Sequence, residues 1–220
     1  MPSTPGKRRL LAAPERAASI LAAAATAFAR NGYAATTLDQ VAAAAGVSKL
    51  IVYRHFNSKR ELYLAILDRI SAELDAVEEP DAPVHARDGA SAIEDTAEVL
   101  RRRFAVVRAL PDAYRLLCRH AAREPEFAEY VTARADRERR RVEARLANVA
   151  DPLIRRWLAT VVTETVPQAF LAWLAAGAPT RDDELADRVS YLLAGMVGSL
   201  WTRAAARGEH VGPADTGATR

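Results

Sequence analysis

The sequence predicts an all-α protein, a small three-helix domain followed by a larger helical body, with about nine helices in all. Three observations predict it. Alanine, the best helix former, pervades the chain, while runs of β-branched residues are scarce. Apolar residues recur at three- and four-residue spacing through most of the length. Pro111, Pro125, Pro152 and Pro179 fall between the periodic stretches, where helices begin and end. With 220 residues, 50% of them hydrophobic, the chain can bury a core as one large domain or two small ones.

Taken in order, residues 1–13 read as a flexible basic arm. A first helix runs from about Pro14 to Arg30 on a stripe of Ile20, Leu21, Ala24 and Phe28, and Asn31-Gly32 ends it. Thr37 and Gln40 have capping-box spacing and open a second helix that turns Leu38, Val41, Ala42 and Ala45 inward. Gly46 breaks this helix, and Ser48 can cap a third, Lys49 to His55. Two short helices joined by a glycine-containing turn make a helix-turn-helix. A second capping box, Ser58 to Glu61, opens a long helix on Leu62, Ile66, Ile70 and Leu74. A loop follows over Glu79 to Gly89. Further helices are expected at about 90–109, 112–123, 125–147, 152–176 and 182–206, with Pro167 kinking the eighth. The tail from Gly208 to Arg220 reads as disordered. The expected organisation is a basic arm at 1–13, a helix-turn-helix domain at 14–57, a helical body at 58–207 and a tail at 208–220.

Charge is uneven along this plan. Residues 1–60 hold nine Lys or Arg against two acids, Glu15 and Asp39, a net +7 in a chain whose total is +3. The rest is therefore −4. A basic head on a mildly acidic body suits a polyanionic partner. The one cysteine, Cys118, excludes an internal disulfide and fits a cytoplasmic location. The stretch Trp157 to Thr180 is the nearest to a membrane span. It also holds Glu164, Pro167, Gln168 and several threonines, so a buried helix and no membrane partner are expected.

The stretch Ile20 to Leu67 reads ILAAAATAFARNGYAATTLDQVAAAAGVSKLIVYRHFNSKRELYLAIL. An apolar first helix ending in Phe and Gly, a Thr-capped helix, then A-x-x-A-G-V-S, Tyr-x-x-Phe and Ser-Lys follow one another at set spacing. In this the segment resembles the DNA-binding domain of TetR-type transcriptional regulators. The resemblance implies a homeodomain-like helix-turn-helix head and a C-terminal ligand-binding and dimerising domain. It also implies double-stranded DNA with a near-palindromic operator as partner, and a phosphate contact by Lys59.

The residues carry a physical reading of their own. A reading helix must expose donors and small groups to the major groove, and Ser48, Lys49, Arg54 and His55 supply donors. Thr37 offers a phosphate its hydroxyl and the amides of a helix start, and Tyr53 its phenol. Leu50 and Ile51 stand where the family often has small or hydroxyl residues. They touch thymine methyl groups or turn into the core. Arg60 replaces a frequent acid.

The resemblance implies that the body binds a small, largely apolar effector and forms a homodimer. Leu158, Val162, Ala169 and Trp173, with Leu192, Gly195, Met196, Gly198 and Ser199, would make a four-helix interface. Phe104, Val107, Tyr114, Leu117, Cys118, Phe127, Trp157, Val161, Glu164 and Phe170 are candidate pocket walls, with Glu164 as the polar anchor. His55, His85, His120 and His210 lack metal spacing, and no HExxH, CxxC, glycine-rich phosphate loop or nucleophile elbow is present. The expected function is therefore a regulator, most simply a repressor released by its effector, with no catalytic residues, metal or cofactor. The competing readings are a constitutive DNA binder without ligand and an α-helical enzyme.

Overall fold

A computed structural model of the chain describes residues 13–77, 89–147, 149–177 and 179–206, with side chains for 15–77, 94–147, 149–177 and 179–196. The basic arm, the Glu79–Gly89 loop up to residue 88, the tail and the side chains of Ser199 and Trp201 lie outside the described residues, as does the environment of Gly198. Among the described residues there are nine α-helices and no strand: α1 Ala13–Ala35, α2 Leu38–Ala44, α3 Lys49–His55, α4 Lys59–Ala76, α5 Gly89–Ala109, α6 Pro111–Arg115, α7 Ala128–Arg145, α8 Pro152–Ala176 and α9 Asp182–Ala206. The chain divides into two compact units, Met1–Glu73 with Leu110–Glu126, and Leu74–Ala109 with Phe127–Arg220.

The first unit is the head. Ile20, Ala24 and Phe28 of α1 are fully buried with Val41, Val52, Leu62 and Tyr63. Phe28 meets the Tyr63 ring edge-on at 5.0 Å, and Tyr33 meets Tyr63 at 5.1 Å. The expected end of α1 at Gly32 is a break within the helix. Gly32 takes φ 79°, the left-handed region open to glycine, and a further turn follows to Ala35. Buried Thr36 ties this turn down by donating to the Gly32 carbonyl at 2.8 Å. The Thr37–Gln40 capping box forms in both directions. Gly46, at φ 66°, makes the turn into α3.

The second box forms only by half. The Glu61 amide donates to Ser58 Oγ, but the Glu61 carboxylate accepts from Asn57 instead of from the Ser58 backbone.

The segment Leu110–Glu126 belongs to the head because it is tied to it by polar bonds. Thr26 Oγ1 donates to Asp112 at 2.7 Å, and Arg60 pairs with Glu126 at 3.2 Å. The helix expected over 112–123 is not one helix. After α6 comes a π turn, Leu116–His120, in which the Ala121 amide donates to the Leu116 carbonyl, and then a 3₁₀ turn, Ala121–Arg123. The wider turn keeps Leu116, Leu117 and Ala121 all buried, which a regular helix would spread around its circumference.

In the second unit Ala97, Leu100, Phe104 and Val107 line the buried face of α5 at helical spacing. Phe104 meets Phe170 of α8 edge-on at 5.0 Å. Asp182, at the start of α9, accepts both an Arg108 fork from α5, at 3.0 and 2.6 Å, and the Trp173 indole N–H at 2.9 Å. Asp151 caps α8. Pro167 lies inside this single helix, as read from the sequence. By length and composition α8 could cross a membrane. It buries Leu158, Ala159, Val166, Phe170 and Leu171 in this unit and exposes Leu153 and Trp157 as well as Thr160, Glu164, Thr165 and Gln168.

Candidate nucleic-acid interface

The face of the head that carries α3 is built from three helix ends. The N-termini of α2, α3 and α4 surround a surface cleft of about 350 Å³ lined by Ala34, Thr36, Thr37, Leu38, Asp39, Lys49, Tyr53, Asn57, Ser58 and Lys59. Of the residues expected to meet DNA, it gathers Thr37, Lys49, Tyr53 and Lys59. Asn57 and Ser58 join them and were missed. Their signal was their place in the turn before α4, which was read only as a cap.

Along α3 the pattern is Lys49, Leu50, Tyr53 and Arg54 exposed, Ile51 and His55 half-buried and Val52 fully buried. Val52 anchors the helix, so the opposite side must face outward. Leu50 is 73% exposed, which resolves its two readings in favour of the surface. Ser48 stands at the N-cap of α3 without a side-chain cap bond, leaving its hydroxyl available.

Lys59 is more committed than its expected role implies. Its ammonium donates to the carbonyls of Tyr33 at 2.9 Å and Ala34 at 3.2 Å, and lies 4.5 Å from the centre of the Tyr33 ring. It thereby satisfies carbonyls left open at the end of α1. Of its three N–H donors one remains for the cleft. Burial and a hydrogen bond to Glu126 push the Tyr33 phenol up to about 12, so it stays a neutral donor.

The other expected sites are spread differently. Phe104, Val107, Tyr114, Leu117, Phe127 and Phe170 are buried, and Cys118 and Val161 half-buried. Tyr114, Leu117 and Cys118 belong to the head and the others to the second unit. Two candidates for a pocket wall are on the surface: Trp157 is 52% exposed, and Glu164 is exposed on the same side of α8. A cleft of about 370 Å³ in the second unit shares only Phe104 with the expected set and is otherwise lined by Arg101, Ala105, Arg108, Ala109, Asp182 and Asp183.

Of the expected dimer residues, Leu192 is 68% exposed and Gly195 is exposed; Val162, Ala169, Trp173 and Met196 are half-buried. Leu158 is 1% exposed and packs inside its own unit, so it cannot face a partner. Its neighbour Trp157 takes the outward position, because adjacent helical residues point about 100° apart. Among the described residues no cluster of His, Cys, Asp or Glu could hold a metal.

A buried trihelical core that presents a short, cation-bearing third helix defines a helix-turn-helix DNA-binding domain. The model of the family described as bacterial regulatory proteins, tetR family, matches residues 20–66. Residues 20–66 are thus a DNA-binding region of the tetR type, and the fold of the chain is the one found in TetR-family regulators. The chain is 51% identical over 55 residues to the transcriptional activator FasR of Mycolicibacterium smegmatis, a match covering 25% of each chain. It is 38% identical over 120 residues to the transcriptional regulator RutR of Escherichia coli K12, covering 52% of this chain and 51% of RutR. The matched part thus spans a quarter to a half of these relatives. The crystal structure of AibR in complex with isovaleryl coenzyme A and operator DNA shares the fold, at TM-score 0.57 and 20% identity, over 82% of this chain and 97% of that one.

Proposed function

We propose that the chain is a ligand-responsive, DNA-binding transcriptional regulator, a homodimeric repressor that leaves its operator when a small effector binds. One observation carries the reading. On α3 a 73%-exposed leucine stands beside exposed Lys49, Tyr53 and Arg54, above a cleft edged by Thr37 and Lys59. Isolated exposure of a large apolar residue among cations costs a soluble protein apolar contact with water, whereas a major groove offers thymine methyl groups beside phosphates. Thr37, Tyr53 and Lys59 would hold phosphates. Ser48, Lys49, Leu50, Ile51, Arg54 and His55 would face base edges and sugars.

The effector half of the reading draws on AibR, whose structure holds a coenzyme A thioester together with operator DNA. By this reading the effector is largely apolar and the body carries its site. An effector can release DNA only by binding the DNA-incompetent state more tightly. The protein is read as cytoplasmic, and as a binding protein rather than an enzyme, its matched relatives being regulators.

The direct test is binding to random-sequence and pool-selected duplexes over a range of salt. Absence of salt-sensitive affinity for every duplex overturns the reading. Lys59→Ala should weaken binding to all duplexes alike and flatten the log–log salt slope by about 0.9. A loss of affinity with the slope intact would leave Lys59 a support for α1 alone.

For the dimer, Tyr191 and Leu192 on α9 are large apolar side chains left exposed, and a second copy of this helix can cover them. Sedimentation of Leu192→Arg should show monomer, and an unchanged dimer would move the interface off α9.

A further inference from the structure

The reading face holds a feature that a simple phosphate-binding surface would lack. Asp39, one of only two acids among the first sixty residues, lies in the first turn of α2 and edges the cleft. Its carboxylate grips the ammonium of Lys49, the first residue of α3, with Nζ 2.8 Å from Oδ1 and 3.0 Å from Oδ2. Nζ also lies 5.7 Å from the centre of the Tyr53 ring. Both side chains of the pair are more than half exposed, 56% and 62%, so the pair contributes little to folding. An acid at this place also opposes the approach of phosphates. What the pair does accomplish is to fix a cation that would otherwise sweep the surface on four rotatable bonds.

Resting on the DNA-binding reading above, we propose that Asp39 is a specificity-determining positioning residue. It holds the Lys49 ammonium at the start of the recognition helix as an aimed donor, not a free cation open to any backbone phosphate. Two consequences follow from its geometry. The pair carries no net charge, so Lys49 adds little to the sequence-independent attraction that dominates non-specific binding. Between the carboxylate and the Tyr53 ring, the remaining N–H points along a restricted direction, as a contact to a base acceptor requires. Discrimination is a difference of affinities, and lowering the affinity for every wrong duplex raises it as surely as improving the right one.

The test uses the full chain and four proteins: wild type, Asp39→Asn, Lys49→Gln and the double variant. Each is titrated over a range of salt with a random-sequence duplex and with a duplex that wild type selects from a random pool. Asp39→Asn should tighten binding to the random duplex about eightfold near 0.1 M salt and steepen the log–log slope by about 0.9, the effect of one more cation on the phosphates. The selected duplex should gain less, so the ratio between the two falls. Lys49→Gln should abolish the gain in the Asp39→Asn background. An Asp39→Asn protein with unchanged random-duplex affinity and slope overturns the proposal, since a merely structural acid would move the melting temperature and not the slope. A gain that survives Lys49→Gln also overturns it, because simple repulsion by Asp39 would then account for it. If wild type itself binds no duplex in a salt-sensitive way, the DNA-binding reading fails first and the proposal falls with it.

Discussion

Phe28→Ala should cost the head about 3–5 kcal/mol and abolish duplex binding. The side chain is fully buried at the centre of the first unit, edge-on to Tyr63 at 5.0 Å and 5.9 Å from the Tyr33 ring. Alanine would remove a whole ring that α1 and α4 share and leave a cavity lined by two tyrosines, which cannot collapse without tilting α1. A domain is typically stable by only about 5–15 kcal/mol, so this loss takes a large share of it. α3 contributes only Val52 as a fully buried anchor and would lose its seat with the core. The readouts are a melting curve by circular dichroism and a titration with duplex. A melting temperature within a degree or two of wild type would mean that the head is not built around this ring.

Asp75→Ala should destabilise the second unit by about 3 kcal/mol, near the low end for removing one partner of a buried pair because Asp75 is a third exposed. Asp75 is held by two arginines of α7, Arg141 at 2.5 Å and Arg134 at 3.4 Å. Arg134 has a side chain only 10% exposed, and without Asp75 it would be a buried cation lacking this counter-ion. Burial pushes the Asp75 carboxyl up, but the Arg141 hydrogen bond and the charges of Arg134 and Arg141 outweigh it and hold the carboxyl below its ordinary range. A depressed carboxyl adds stability that is present above the unfolded value, about 3.9, and is lost as pH falls through the folded one. The stability gap between wild type and Asp75→Asn should therefore be full at neutral pH and narrow below about pH 4. A gap independent of pH would show that the ion pair is not its origin.

Much of the architecture was legible in the chain. Both ends of α8 and of α9 fall where they were expected, and α3 spans Lys49–His55 as read. The signals were Pro152, the Thr37 box, Gly46 and the spacing of Leu62, Ile66, Ile70 and Leu74, all set by residues within one or two turns. Caps, breaks and periodicity act locally, and the local chain contains everything needed to evaluate them.

Other features could not be read in this way. Lys59 was expected at a phosphate, but it also closes the end of α1 across 26 residues of sequence. Leu158 and Trp157 exchanged inward and outward places on α8, a helix apolar on nearly every side. On such a helix periodicity has no phase, and the inward face is chosen by whichever helices happen to pack against it. Glu164 came out exposed for the same reason. The segment Leu110–Glu126 joined the head through Thr26–Asp112 and Arg60–Glu126, bonds between residues more than sixty positions apart.

The order of helices, the Thr37 cap and the basic charge of the first sixty residues were thus written in neighbouring residues. The choice of buried faces, the employment of Lys59 and the pairing of Asp39 with Lys49 depended on partners brought close by folding. Burial and charge pairing are properties of distance in space, and a linear pattern records distance only within a turn or two.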